Sequence, residues 1–254
     1  MSRNFELLRQ AEKERGFVPL VALKVEPDPD SGQRGDSSAQ ATSRIDQLDR
    51  EESLKLVQRL FLRPAPESPR AVVFAGVDHR NGCTRVCARA AITLAKHTSG
   101  SVCLVDANLR SPALPEFFGT TNHYGLTDAL KEENPIRDFV RRLRPENLWL
   151  LSCGSLAANS VSVLDCDRLK TRLAALRTEF DYVLIDAPPL SPYADAVTIG
   201  HLVDGLVVIL EAGSTRRESA VRIIESVRAA RVQVLGAVLN KRSFPIPESL
   251  YRKL

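Results

Sequence analysis

The sequence predicts an α/β protein in three layers, a mostly parallel central sheet flanked by helices. Three observations lead there. From Ala71 to Asn240 short apolar runs alternate with amphipathic stretches of helical period, the pattern of βαβ units. The apolar runs, such as "AVVFAG" and "YVLID", are continuous rather than alternating, so each strand is covered on both faces. Polar residues gather just beyond these runs, at the carboxyl ends of strands, where open parallel sheets receive their ligands. A chain of 254 residues buries a full core, and one large domain with short appendages is the economical reading.

Taken in order, residues 1–25 form an N-terminal segment. Asn4–Arg15 carries Phe5, Leu7, Leu8 and Ala11 among charges, which predicts a short amphipathic helix. Residues 26–44, "EPDPDSGQRGDSSAQATSR", are rich in Ser, Gly, Asp and Pro and read as a flexible linker. The main domain, 45–242, opens on a helix at Ile45–Leu62 that "RPAPESP" ends. Strands follow at "AVVFAG", "SVCLVDA", "LWLLSCG", "YVLIDAP", "GLVVILEA" and "VQVLGAVLN". Helices are expected near Thr84–Lys96, Gly125–Lys131, Asp165–Phe180, Asp195–Leu202 and Arg216–Arg231. The run Arg141–Arg144 reads as a solvated helix face, and Trp149 and Tyr182 as packing residues. Residues 243–254 are a basic, proline-broken tail.

Composition removes several classes. A net charge of +4, spread along the chain, gives no reason to invoke nucleic acid. No apolar run approaches the roughly 20 residues that span a bilayer. The opening "MSRNFELLRQAEKERG" lacks the apolar stretch of a secretory signal, so a cytoplasmic protein is expected. Cys83, Cys87, Cys103, Cys153 and Cys166 form no CxxC pair and read as reduced thiols.

The chemistry starts at "GVDHRNGCT", Gly76 to Thr84. Gly76 ends a strand, Gly82 permits a tight turn, and Thr84 opens a helix. Backbone N–H groups of such a loop, with the helix dipole, cradle phosphate oxygens. The Thr84 hydroxyl is placed to ligate magnesium. Cys83 stands where a phosphate loop carries its lysine. Two further strand ends add carboxylates: "VCLVDANLRSP" ends on Asp106, and "DYVLIDAPP" places Asp186 after four apolar residues. An aspartate ending a buried strand beside a phosphate loop is positioned to hold magnesium, directly or through water.

From about Glu51 to Asn240 the chain resembles the bacterial tyrosine autokinases of capsule and exopolysaccharide synthesis, the CpsD/CapB-like group. These sit within the MinD/ParA-like, deviant-Walker branch of P-loop NTPases. "VCLVDANLRSPALPEFFG" with "YGLTDAL", "LLSCGSLAANSVSVLDCDRL", "FDYVLIDAPPLSPYADAVTIGHLVDGLVVIL" and "VQVLGAVLN" carry the resemblance. It implies ATP and Mg2+ as cofactors. Arg80, Asn81, Gly82, Cys83, Thr84 and Arg85 would cradle the phosphates, and Asn240 would face the adenine. Asp106 would be the Walker A′ carboxylate and polarise the attacking hydroxyl, and Asp186 the Walker B carboxylate. Both, with Thr84, would serve the metal. Tyr251 is the remaining candidate phosphoacceptor of the family's tyrosine cluster. A homo-oligomer and a membrane-bound polysaccharide co-polymerase, recruiting the protein to the inner face of the membrane, are the partners implied.

Departures from the pattern keep more than one function open. His79-Arg80-Asn81-Gly82-Cys83-Thr84 replaces the family's Pro-Gly-x-Gly-Lys-Ser/Thr, losing the lysine and one glycine. Asn108 stands where an aspartate is common. "EESLKLVQRLF" keeps Glu52, Lys55 and Arg59 of the assembly helix but not its paired arginines. An ATP-dependent tyrosine kinase with weakened phosphoryl transfer is one reading, and a catalytically inactive nucleotide-sensing scaffold is the other. A MinD/ParA-like positioning ATPase ranks third, since Asp78 occupies the place of that group's signature lysine.

Overall fold

The computed structural model describes residues 19–22, 50–63, 68–155 and 167–241. The expected Asn4–Arg15 helix, the linker, Cys166 and the tail with Tyr251 lie outside the described residues. The strands are β1 (Pro19–Ala22), β2 (Ala71–Gly76), β3 (Val102–Asp106), β4 (Arg141–Arg142), β5 (Leu148–Leu151), β6 (Tyr182–Ala187), β7 (Gly205–Glu211) and β8 (Val234–Asn240). The helices are α1 (50–60), α2 (Cys83–His97), α3 (Leu114–Phe117), α4 (Leu126–Ala129), α5 (Asp167–Glu179), α6 (Asp195–Gly200) and α7 (Arg217–Ala229), with a 3-10 turn at Ile136–Phe139.

All eight strands join one sheet in the order β1-β8-β7-β2-β6-β3-β5-β4. Every pairing is parallel except β4 against β5. The continuous apolar runs are explained by burial on both faces. Side chains alternate across a strand, and each parity finds its own core. Val72, Phe74, Leu104, Leu150, Leu184 and Ile209 pack with α1 and α2. Val73, Ala75, Val105, Leu151, Ile185 and Val208 pack with α4, α5, α6 and the Val227 face of α7.

Helix α2 covers the centre of the sheet because its buried stripe, Cys83, Val86, Cys87, Ala90, Ala91 and Leu94, recurs every three to four residues and is built of small side chains. Small residues let its axis approach β2 and β6. Leu94, wholly buried in this stripe, contributes about 1.5–3 kcal/mol by leaving water.

Two strands were not anticipated. The four-residue β1, within the N-terminal segment, pairs with β8 through Pro19, Val21 and Ala22, and so short a strand has no periodicity to read. Arg141 and Arg142 lie on β4, paired antiparallel with Leu150 and Trp149, and not on a helix face. Both arginines are exposed, so the expected solvation holds while the element differs. The physical reason is the edge of β5, whose backbone groups need partners, and a two-residue charged strand closes that edge against further pairing.

Candidate functional site

The loop between β2 and α2 is the centre of the site. Gly82 has φ 80° and Arg80 φ 60°, both left-handed. Arg80 thus holds a conformation that favours glycine, at a cost of about 1–2 kcal/mol for a side chain with a Cβ. Asn81 folds over the strand end, where a Cβ on Gly76 would fall 1.8 Å from Asn81 Nδ2. Its amide donates to the Ile209 carbonyl (3.3 Å) and its oxygen accepts from Cys83 N–H (3.2 Å). Helix α2 has no side-chain cap from Gly82 and no acidic residue in its first turn, so beyond the Asn81 bond to Cys83 N–H its positive end is left to a ligand at the loop.

From the far side, the end of β8 grips the loop. Asn240 Nδ2 donates to the Asn81 carbonyl at 2.7 Å. Lys241 Nζ donates to the Arg80 carbonyl and pairs with Glu211 Oε1 at 3.1 Å.

Beneath the loop stand the two carboxylates. In-register pairing of β3 with β6 sets Asp106 beside Asp186, and β2 places Phe74 on the other flank of Asp186. Their parity, shared with Leu104 and Leu184, turns both toward α2. Asp106 accepts from Asn108 N–H (3.2 Å) and Leu114 N–H (3.1 Å). Thr84 Oγ1 donates to Asp186 Oδ2 at 2.6 Å, and Asp186 Oδ1 is buried without a hydrogen-bond partner.

Electrostatics follows from this burial. Desolvation, then the Asp186 charge, pushes Asp106 up to about 8. Desolvation raises Asp186 to about 6, with the Thr84 hydroxyl opposing it. Burial, with Asp186 and Cys87 adding, raises the Cys83 thiol well above its usual range. Cys83 is therefore a neutral thiol.

A cleft of about 710 Å³ opens above, lined by residues 78–85, Asn108, Ser111, Glu116 and Phe117 among others. Of the residues named from sequence, Arg80, Asn81, Gly82, Cys83, Thr84 and Arg85 line it. Asp106 and Asp186 lie under its floor, each 0% exposed, and Asn240 is buried behind the loop with its amide committed to Asn81. Asp186 Oδ1 and the Thr84 hydroxyl are hard oxygen donors, which fits magnesium. Among the described residues no three His, Cys, Asp or Glu converge as a metal cage.

Sequence reading missed a cluster on the rim. Arg110 Nε pairs with Asp195 Oδ2 at 2.8 Å, and its guanidinium lies 3.8 Å from the Tyr193 ring centre. His79, exposed in the loop as expected of a turn residue, meets the same ring edge-on at 5.7 Å. These residues come from two loops and from the chain leading into α6, and no local spacing announces them. Glu211 and Lys241 escaped for the same reason.

The fold and the loop define the class: a three-layer P-loop NTPase fold with a mostly parallel sheet. No family model matches the chain. Its curated relatives are bacterial tyrosine-protein kinases, as the motif resemblance implies. Tyrosine-protein kinase YwqD of Bacillus subtilis is 30% identical over 139 residues, covering 55% of this chain and 59% of that protein. The match therefore spans less than two thirds of that relative's length. In three dimensions the chain is similar to the kinase domain of Escherichia coli tyrosine kinase ETK, with a TM-score of 0.77 at 18% identity over 92% of this chain and 95% of that one. It is also similar to a ParA family ATPase from Chlorobium tepidum, with a TM-score of 0.60 at 16% identity over 71% and 77%. Among the described residues no helix is long and apolar enough to cross a membrane.

Proposed function

We propose that the chain is a tyrosine-protein-kinase-like ATP-binding protein that regulates capsular or exopolysaccharide synthesis, with phosphoryl transfer weakened by the loss of the loop lysine. The observation that carries this reading is the convergence of Thr84 and Asp186 at 2.6 Å, with a second buried oxygen of Asp186 unpartnered beside the loop. Loop N–H groups and the open end of α2 bind the phosphates of ATP. Thr84 and Asp186 hold Mg2+, which when bound neutralises charge on the phosphates. Asp106, next to Asp186, orders the site and, once ionised beside the bound cation, takes up the proton of an attacking hydroxyl.

The missing ammonium sets the rate. Positioned cations supply most of the acceleration in this chemistry, and losing one such group costs about 100- to 1000-fold. Binding suffers less, because the backbone donors remain. Arg80 and Arg85, both exposed at the cleft, return part of the positive charge. An Arg80→Ala, Arg85→Ala variant with an undiminished ATPase rate would refute that role.

A nucleotide-sensing scaffold is the second reading, favoured by one observation: burial keeps Cys83 a neutral thiol. One experiment separates the two. The protein is incubated with ATP and Mg2+ and probed for phosphotyrosine, and calorimetry measures Mg·ATP and Mg·ADP binding. Label at Tyr251 supports the kinase, whereas binding without label supports the scaffold. No heat with either nucleotide overturns both. The proposed partners are a membrane-bound polysaccharide co-polymerase and further copies of the chain.

A further inference from the structure

We propose that Lys241 is the positioning cation of the phosphate loop, supplied from the last strand in place of the lysine that Cys83 displaces. The inference rests on the nucleotide-binding reading above and deepens it.

The geometry is a double clamp. Two consecutive side chains at the end of β8 donate to two consecutive loop carbonyls, Asn240 to Asn81 and Lys241 to Arg80. Lys241 itself has φ 55°, a left-handed turn that ends β8 where its side chain meets the loop. A trans peptide is planar, so its C=O and the following N–H point in opposite directions. Holding the Arg80 and Asn81 carbonyls toward β8 therefore turns the N–H groups of Asn81 and Gly82 away from it. Among the described residues neither N–H donates to a protein group, and both residues line the cleft. The clamp thus leaves two donors free for an anion.

Position and charge support the role. A Cβ on Gly82 would meet Asn240 Nδ2 at 2.4 Å and Lys241 Cε at 3.9 Å, so the lysine stem runs alongside the glycine that precedes Cys83. Glu211, paired with Lys241 at 3.1 Å, fixes the ammonium and offsets its charge. Lys241 therefore works by setting the loop's shape, and Cys83, neutral and buried, leaves that task to it.

The test combines hydrogen exchange of the peptide spanning 78–85, without nucleotide, and titration with Mg·ADP. Lys241→Met is expected to speed exchange of the loop about tenfold and to weaken Mg·ADP by about tenfold, the scale of a lost charged hydrogen bond. Lys241→Arg retains both to within about threefold, because it keeps a cationic donor. Adding Cys83→Lys to Lys241→Met restores affinity more than Cys83→Lys gains alone. Exchange and affinity in Lys241→Met equal to wild type would overturn the clamp while leaving nucleotide binding standing. Accelerated exchange in a protein that never bound Mg·ADP would uphold the clamp and overturn the nucleotide reading instead.

Discussion

Asp106 and Asp186 are register partners on adjacent parallel strands, both 0% exposed and both facing the underside of α2. Two carboxylates in such a position cannot both ionise without a compensating cation, since burial and mutual repulsion favour the protonated form. Their burial in the folded chain makes the site pH-sensitive.

Stability of the ligand-free protein is expected to fall as pH rises. Both carboxylates have folded values, about 8 and about 6, above the ordinary 3.8. A raised folded pKa means the folded state binds protons more tightly, so its contribution is present below about 4 and is lost as pH rises through about 8. Asp181 and Asp204 are shifted the other way, so their contributions change only at and below the ordinary carboxylate range. Thermal midpoints at about pH 5.5 and pH 8 should therefore descend, and Asp106→Asn should flatten the slope. A midpoint that rises across this window would contradict the burial argument.

Asp186→Asn removes the carboxylate that is bonded to Thr84. Mg2+ is expected to tighten ADP binding in the wild type and to have no effect in the variant. Calorimetry with and without Mg2+ reads the difference directly. Equal Mg2+ dependence in both proteins would place the metal elsewhere.

Cys83→Lys places an ammonium in the loop. Phosphoryl transfer or ATPase turnover should rise by about 100- to 1000-fold, and Asp186 should become easier to ionise beside the new cation. A variant that folds, binds ATP and gains no turnover would show that the missing charge is not what limits the chemistry.

Loop conformation gives a contrast between two neighbours. Gly82→Ala strains a left-handed residue and drives its Cβ against Asn240 Nδ2 at 2.4 Å, so a loss of about 1–3 kcal/mol is expected. Arg80→Gly relieves strain at φ 60° but adds freedom to the unfolded chain, so it stays within about 1 kcal/mol of wild type. Denaturant titration of the pair checks both signs.

The six strands from β2 to β8, β4 excepted, were legible in the sequence because each is covered on both faces, and that burial demands an unbroken apolar run. The carboxylates were legible because a charge directly after such a run has few places to go besides the strand end. Short elements were not. β1 and β4 owe their existence to partner strands rather than to their own residues, so propensity and period say nothing of them.

The sequence by itself determined the α/β class, the loop at Gly76–Thr84 and the two strand-end aspartates, since these depend on patterns local to each segment. Only the tertiary structure decided that Asp106 and Asp186 share a register beneath α2, that Arg110 meets Tyr193 and Asp195, and that Asn240 and Lys241 seize the loop. Those relations join residues up to 161 positions apart, and strand order, which no local preference encodes, is what brings them together.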